Sequence, residues 1–537
     1  MKMNAQELRN KAQWEAAGVG VPGFDWQGMC AVTEKMPTWV HFGAGNIFRG
    51  FIAKCQQDLL NQGLVDGGII AADTFDFDII DKIYDPYDSM TMLVSLFPDG
   101  SMKKEIVASI AKGLRAGKAY PEDVAQLKEI FRNPSLQMIS FTITEKGYAL
   151  QNINGEFFSF VLEDFQNGPD NCTHAMCMVT ALLYERFKAC GTPLAVVSMD
   201  NCSHNGEKLR ASIMTVAQKW LEKGFVTTGF VLWLGDEKNV SFPWSMIDKI
   251  TPRPARVVET ALNQVGMEGM APVITSKGTF IAPFVNAEQP QYLVVEDRFP
   301  NGRPPLEKAG VYMTDRETVN KTETMKVTTC LNPLHTALAV YGCLLGYDSI
   351  AAEMKDRELK KLVEGIGYTE GLPVVVDPKI LSPRDFINEV VEQRLPNPFI
   401  PDMPQRIATD TSQKVPIRFG ETIKSYMTHP ELNAADLKYI PLALAGWLRY
   451  LLAVDDNGSS FQCSSDPMLE TLQKQLSAVK LGQPESAAED VLNPILSNPT
   501  LFGVDLYEAG LAEKVTEYFK KMLVGAGAVR ATLEELV

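Results

Sequence analysis

Two glycines, spaced G-x-G between an apolar β-forming run and an amphipathic helical pattern, place the strongest constraint on this 537-residue chain. Thr38-Trp39-Val40-His41-Phe42 reads as a short buried strand, and Phe48 to Asn61 reads as a helix with apolar positions at Phe51, Ile52, Cys55, Leu59 and Leu60. Gly43 permits the tight turn between them. Gly45 lets the backbone approach a pyrophosphate at the helix N-terminus, where free N–H groups and the helix dipole favour negative charge. Gly43, Gly45, Asn46, Ile47 and Phe48 are therefore candidate dinucleotide contacts, although Phe48 stands where the full G-x-G-x-x-G pattern has its third glycine. Gly67 to Asp73 then reads as a second strand ending in an acid. A carboxylate there accepts hydrogen bonds from an adenosine ribose and repels a 2′-phosphate, which selects NAD over NADP. The alternative is an ordinary βα turn, with Asp73 as its strand-end residue.

A chain of this length exceeds one average domain, so two are expected. The net charge of −15 argues against nucleic acid or an anionic membrane as partner. The nine cysteines are irregularly spaced and read as reduced thiols. Cys172-x-His174-x-x-Cys177 lacks a matching second ligand pair, so no metal site is expected. The polar N-terminus has no apolar core of a secretory signal, and no uninterrupted apolar run reaches ~18 residues. The expectation is a cytoplasmic protein, a monomer or small homo-oligomer, acting on a small molecule.

From about 37 to 290, strand-like runs (Val40–Phe42, Ile69–Ala72, Met138–Thr142, Leu194–Met199, Val226–Leu232) alternate with helical patterns such as Val124–Phe131 and Met176–Cys190. Ser89–Gly100 with Met102–Ala108 reads as an inserted hairpin. After about 325 the period is helical throughout. The fold class expected is α/β, with an N-terminal Rossmann-like doubly wound sheet over 1–290 and a mainly α-helical domain over 291–537. The boundary is placed near residues 285–300, around Phe284–Pro290, with Asn301-Gly302-Arg303-Pro304 making a turn soon after.

A nicotinamide enzyme acting on an alcohol needs a base for the hydroxyl proton, donors for the reacting oxygen and groups that orient the substrate. Met325 to His335 supplies Lys326, Asn332 and His335 amid apolar neighbours. A desolvated lysine acts as a base near neutral pH, and an amide donates to an oxyanion without titrating. Asn332-Pro333 also reads as a helix cap with proline at the first helical position, and His335 as a core histidine. Val196 to Gly206 places Asp200 and Asn201 at the carboxyl end of a strand, where open α/β sheets bind ligands. Capping of the next helix is the alternative there. Ser140 to Tyr148, including Thr142, lies at the same edge.

These blocks together resemble the polyol-specific long-chain dehydrogenase/reductase family, over nearly the whole chain from residue 38. The carriers are His41-Phe42-Gly43-Ala44-Gly45-Asn46-Ile47 with Arg49-Gly50-Phe51, Ser140–Tyr148, Ser198-Met199-Asp200-Asn201 and Phe242–Pro252. Val295-Glu296-Asp297 with Asn301-Gly302-Arg303-Pro304, and Arg406-Ile407-Ala408 through Gln413–Arg418, complete the set. The resemblance implies a metal-independent, NAD-dependent oxidoreductase with Lys326 as general base, Asn201 and Asn332 at the oxyanion and His335 orienting the substrate. It also implies Asp248 and Arg418 around cofactor and substrate. The family spacing is K-x4-N-x2-H, whereas Lys326 and Asn332 are separated by five residues. One extra residue turns a side chain by ~100° on a regular helix, so a bulge is expected to absorb it.

The reading is interconversion of a secondary alcohol and a ketone on an open-chain sugar acid or sugar alcohol. A hexuronate reductase (fructuronate/mannonate or tagaturonate/altronate) is favoured because Lys414 or Arg418 can pair with a substrate carboxylate; both also read as solvated helix ends. The alternatives are a mannitol 2-dehydrogenase, an epimerase that retains NAD, and a non-catalytic nucleotide-binding protein.

Overall fold

The computed structural model describes residues 1–152 and 154–537. Two compact units divide the chain, Met1–Asn320 and Lys321–Val537, with the division inside the helix Arg316–Met325.

The first unit is built on six parallel strands: β1 (Trp39–Phe42), β2 (Ile69–Asp73), β3 (Ile110–Arg115), β4 (Met138–Phe141), β5 (Leu194–Ser198) and β6 (Val240–Ser241). Their spatial order, 3-2-1-4-5-6, is that of a dinucleotide-binding doubly wound sheet. Strands buried on both faces are apolar at most positions, and the apolar residues here divide by parity. Val40, Phe42, Ile70, Ile139, Phe141 and Val196 pack into one core with the helices Pro121–Arg132, Ala175–Ala189 and Asn205–Glu222. Trp39, Ile69, Ala71, Met138, Ala195 and Val197 pack into the other, beneath Phe48, Phe51, Ile52, Cys55 and Leu59.

The expected hairpin is present between β2 and β3: Thr91–Leu96 pairs antiparallel with Met102–Val107. It extends into a four-stranded sheet with Val19–Gly20 and Phe284–Glu288. The stretch expected to mark a boundary is thus a fully buried strand. Its polar residues made it look like a loop, yet each has a fixed partner. Asn286 Oδ1 accepts from the Ala255 N–H at 3.0 Å, and Glu288 Oε1 accepts from the Ile250 N–H at 2.7 Å. Tyr292–Glu296 then pairs with Ser245–Asp248, which keeps the chain in the first unit well beyond residue 290.

Val226–Leu232, expected as a strand, belongs mostly to the helix Thr228–Gly235. Thr227 caps it by accepting the Phe230 N–H at 3.4 Å. The stretch is only seven residues long, with Thr227, Thr228 and Gly229 between its apolar ends, so it carries no readable period and helix and strand look alike there. The sixth strand has only two residues and leaves no pattern to read.

The second unit is helical, with the single-turn and longer helices separated by π and 3₁₀ segments. Asn332–Leu345 and Tyr439–Leu451 make its core contact. The Tyr341 hydroxyl donates to the Leu442 carbonyl at 2.8 Å, and a Cβ on Gly446 would lie 2.6 Å from the Tyr341 ring. Gly446→Val is therefore expected to overpack this contact, costing ~1–3 kcal/mol; a denaturant melt should show an earlier transition for the helical unit.

Candidate functional site

In an open α/β sheet, ligands bind beyond the carboxyl ends of the strands where the strand order reverses. Here the reversal falls between β1 and β4. Gly43 leaves β1 at φ +105°, and a Cβ there would lie 2.2 Å from the Thr142 carbonyl oxygen, so no other residue fits this turn. Nothing lies within 4 Å of the corresponding position on Gly45. No protein atom of the turn requires that glycine, which leaves its open side to whatever the helix N-terminus binds.

The turn is rigid. The Ala44 N–H donates to Asp73 Oδ2 at 3.0 Å, and the Ala44 carbonyl accepts from the Tyr84 hydroxyl at 3.0 Å. Asp73 Oδ1 also accepts from the N–H groups of Phe75 and Asp76. Burial raises the Asp73 carboxyl above its ordinary range, against the pull of these donors. Asn46 accepts from Arg49 Nη2 at 2.9 Å and donates to the Pro252 carbonyl at 3.3 Å. Ile47 precedes a π segment, Phe48–Ile52, that opens the helix. Phe48 is wholly buried with its ring stacked flat on His41 at 4.0 Å, so only its backbone faces the turn. Thr142 Oγ1 lies 2.8 Å from His41 Nε2.

Asp200, expected as a substrate ligand, instead clamps the loop after β4. It accepts from the N–H groups of Ile143 at 2.9 Å and Thr144 at 3.0 Å, and from the Tyr148 hydroxyl at 2.5 Å. Thr144 sits at φ +65°, a strained conformation for a β-branched residue that these bonds hold in place. Asn201 is exposed in the turn just beyond. Asn205, not singled out from sequence, anchors that turn: its amide donates to the carbonyls of Asp200 and Ser245 and accepts from the Ser245 N–H, all at 3.0 Å. Asp248 is buried at the end of the strand Ser245–Asp248. His174 caps its helix by accepting the Met176 N–H, which accounts for it without a metal.

In the helical unit, Lys326 is 2 % exposed and opens a π segment, Lys326–Cys330. The Leu331 N–H reaches back to the Lys326 carbonyl at 3.1 Å, closing a turn one residue wider than an α turn. The chain breaks at Leu331 (φ −133°, ψ −60°) and resumes as the helix Asn332–Leu345. The supernumerary residue between Lys326 and Asn332 is taken up in this π turn. Asn332 does not cap the helix. Its side chain forms no hydrogen bond among the described residues, and its carbonyl accepts from the Thr336 hydroxyl at 2.9 Å.

His335 Nε2 lies 3.2 Å from Asp402 Oδ2 but is not aligned for a hydrogen bond with it. Burial lowers the His335 pKa, and the opposing pull of Asp402 does not restore it. Asp402 also forms an ion pair with Arg406. Arg418 donates to the Thr336 hydroxyl at 2.5 Å. Lys414 donates to the carbonyls of Ile407, at 3.0 Å, and Thr409. Its pKa is lowered to about 8, by burial and then by Arg418. Neither cation is a solvated helix end. Asp402 and Thr336 were not singled out from sequence; the only signal was the i,i+4 spacing of Asp402 and Arg406.

Sequence profiles described as the Mannitol dehydrogenase Rossmann domain and the Mannitol dehydrogenase C-terminal domain match residues 37–308 and 318–523. The chain belongs to the mannitol dehydrogenase family. It is 55 % identical to the D-mannonate oxidoreductase of Thermotoga maritima, over 100 % of this chain and 99 % of that protein. A D-sorbitol dehydrogenase in substrate-free form superposes with a TM-score of 0.79 at 25 % identity, covering 96 % of this chain and 98 % of the other. The Pseudomonas fluorescens mannitol 2-dehydrogenase, in ternary complex with NAD and D-mannitol, gives 0.69 at 26 % identity, covering 100 % and 99 %. Among the described residues, no three His, Cys, Asp or Glu side chains cluster as metal ligands, and no helix is long and apolar enough to cross a membrane.

The two glycines of the turn make a direct comparison. Gly43→Ala should cost ~1–3 kcal/mol through its forced backbone shift and lower the melting temperature. Gly45→Ala should leave the melt unchanged and weaken nucleotide binding, read by titration calorimetry.

Proposed function

We propose that this protein is an NAD-dependent oxidoreductase that interconverts a secondary alcohol and a ketone on an open-chain hexonate/hexuronate pair, mannonate and fructuronate first among them. The observation that carries this reading is the 55 % identity to a D-mannonate oxidoreductase along the whole chain.

The G-x-G turn supports the dinucleotide: the first N–H groups of a helix lack intrahelical partners, and nothing lies within 4 Å of a Cβ built on Gly45. Gly43, Gly45, Asn46, Ile47 and the Phe48 backbone hold the pyrophosphate in this reading, Asp73 accepts from the ribose, and Thr142 and Asp248 complete the cofactor contacts. The bound nicotinamide supplies the hydride acceptor.

Lys326, with its amine neutral, takes the proton from the substrate hydroxyl during oxidation and returns it during reduction. Asn332 and Asn201 donate to the oxygen that is alkoxide-like in the transition state, each worth ~3 kcal/mol as a dedicated donor. The unengaged carboxamide of Asn332 supports this role, since a cap would have been satisfied by backbone. His335 orients a neighbouring hydroxyl. Lys414 and Arg418 pair with the carboxylate that distinguishes a sugar acid from a polyol.

Turnover tests the substrate. The kcat/KM for fructuronate or tagaturonate should exceed that for fructose by at least ~10²-fold, because a site built for a carboxylate rejects a neutral analogue; preference for fructose would transfer the reading to a mannitol 2-dehydrogenase. Lys326→Ala should lower kcat by ~10²–10⁴-fold.

A pH profile tests Lys414. Its ammonium is charged below about 8 and neutral above it. For the sugar acid, kcat/KM should therefore fall as pH rises through about 8, and Lys414→Met should lower the plateau and flatten that limb.

A further inference from the structure

We propose that His41 is the positioning residue of Thr142. A one-way chain of hydrogen bonds beneath the G-x-G turn fixes the Thr142 hydroxyl as an acceptor, and that acceptor takes an O–H or N–H of the nicotinamide nucleoside. This rests on the proposed function only in placing NAD at the turn; the order of the protons is set by the protein's own contacts.

Trp39 and His41 share one face of β1, and Ser140 stands beside His41 on the parallel neighbour β4, with Thr142 just beyond its end. Trp39, His41 and Ser140 are buried, and Thr142 is half-buried. Trp39 Nε1 lies 2.7 Å from Ser140 Oγ, which lies 2.6 Å from His41 Nδ1. On the far side of the ring, His41 Nε2 lies 2.8 Å from Thr142 Oγ1, which lies 3.4 Å from the Gly43 carbonyl oxygen. The two ends of this chain have fixed roles, since an indole N–H only donates and a carbonyl only accepts. Read inward, the ends agree. Trp39 donates to Ser140, whose hydroxyl donates to Nδ1; the Nε2–H donates to Thr142, whose hydroxyl donates to Gly43. With the proton on Nδ1 instead, the Ser140 hydroxyl would have no acceptor among the described residues, and Thr142 would have to turn its proton from Gly43 to Nε2. A buried donor without a partner is costly, so the first order holds. The ring is neutral, because burial holds its pKa well below the ordinary value and no carboxylate pairs with it among the described residues. Phe48, stacked flat on the imidazole at 4.0 Å, keeps it from turning.

A hydroxyl has one proton and two lone pairs. The Thr142 proton goes to Gly43 and one lone pair goes to His41, so the crevice meets only the second lone pair. That oxygen cannot donate to a phosphate; it can accept from a ligand O–H or N–H. Its place in the sheet decides which half of the cofactor it meets. Asp73 on β2 stands on the adenosine side and Gly45 at the pyrophosphate, while β4 lies across β1 from β2. The end of β4 therefore falls on the nicotinamide side, whose ribose hydroxyls and carboxamide both carry donors.

The first experiment is ¹⁵N-histidine labelling of the full chain, which has five histidines. The His41 signals are assigned by their loss in His41→Gln or, where that variant does not fold, by replacing the other four singly. The wild type should show the Nε2–H tautomer at neutral pH; the Nδ1–H tautomer or an imidazolium overturns the proposal. The second is calorimetric titration with ADP, ADP-ribose and NAD. Thr142→Val should weaken NAD about tenfold, as for one lost hydrogen bond, with ADP bound as by the wild type and Thr142→Ser within threefold of wild type for NAD. A loss shared by ADP-ribose assigns the donor to a ribose hydroxyl, and a loss confined to NAD assigns it to the carboxamide. Unchanged NAD binding in Thr142→Val, or an equal loss for ADP, overturns the proposal. A wild type that binds neither NAD nor ADP defeats the reading of the turn as a nucleotide site, while the spectrum still decides the order of the protons.

Discussion

The approach of Gly43 to the Thr142 carbonyl is the constraint on which the nucleotide half of the structure depends. Strands β1 and β4 are neighbours whose connections depart to opposite faces of the sheet, and the two chains must separate just beyond their carboxyl ends. A left-handed turn at Gly43 lets them pass within a distance that leaves no space for a Cβ. The loops on either side are then clamped by carboxylates from the next strands outward. Asp73, ending β2, takes the Ala44 N–H; Asp200, just after β5, takes the Ile143 and Thr144 N–H groups. Burying a carboxylate is costly unless it is hydrogen-bonded, and each of these has three donors. Four adjacent strands thus hold one crevice, and its shape does not depend on the exposed residues at its rim.

The same economy governs the buried cations. Arg49, Arg186 and Arg449 are wholly inside the protein, yet among the described residues none is neutralised by a carboxylate. Arg186 donates to the carbonyls of Phe131, Asn133, Leu136, Thr192 and Pro193, tying the end of one helix to the segments that lead into β4 and β5. Arg449 gathers the carbonyls of Met522, Val454 and Asp455. Arg49 bonds Ala282 and Asn46. A planar fork with five donors suits irregular backbone, whose carbonyls have no helical or sheet partner. Burial lowers the pKa of Arg49 and Arg186 to about 10, which still leaves each charged at neutral pH.

Much of this was legible in the chain because its signals are local. The G-x-G turn, strands β1, β2, β4 and β5 and the helical second half are each set by periodicity and by residues close in sequence; β3, whose Lys112, Gly113 and Arg115 break the apolar run, was not read as a strand. The failures are of another kind. Val226–Leu232 is too short to show a period, and Thr227 as a cap was the clue to a helix. Phe284–Glu288 looked like a linker because Asn286 and Glu288 are polar, and their partners at Ala255 and Ile250 lie more than thirty residues away. Asp200 read as a ligand because of where it stands. Its three donors, from a loop more than fifty residues earlier, turn it into scaffolding. Asp402 was invisible because a carboxylate in a proline-rich segment announces nothing until His335 is beside it.

Three of the six π segments among the described residues lie at positions that carry the proposed chemistry. Phe48–Ile52, Lys326–Cys330 and Pro416–Gly420 are π segments, and they carry the nucleotide helix, the proposed base and Arg418. A π turn admits one residue beyond the α repeat without displacing the next turn of helix, at some loss of hydrogen-bond geometry. At Lys326 the wide turn falls where the spacing differs: five residues separate it from Asn332 where the resembling family has four, and one extra residue turns a side chain by ~100° on a regular α-helix. The surplus is confined between the Lys326 carbonyl and the Leu331 N–H, and the irregular dihedrals of Leu331 let the second helix begin afresh at Asn332. At Phe48 the same device opens a helix whose third-glycine position holds an aromatic ring stacked flat on His41. The extra residue and the aromatic at the third-glycine position thus both fall in wide turns, one ended by the break at Leu331 and the other continuing into the helix Ala53–Asn61.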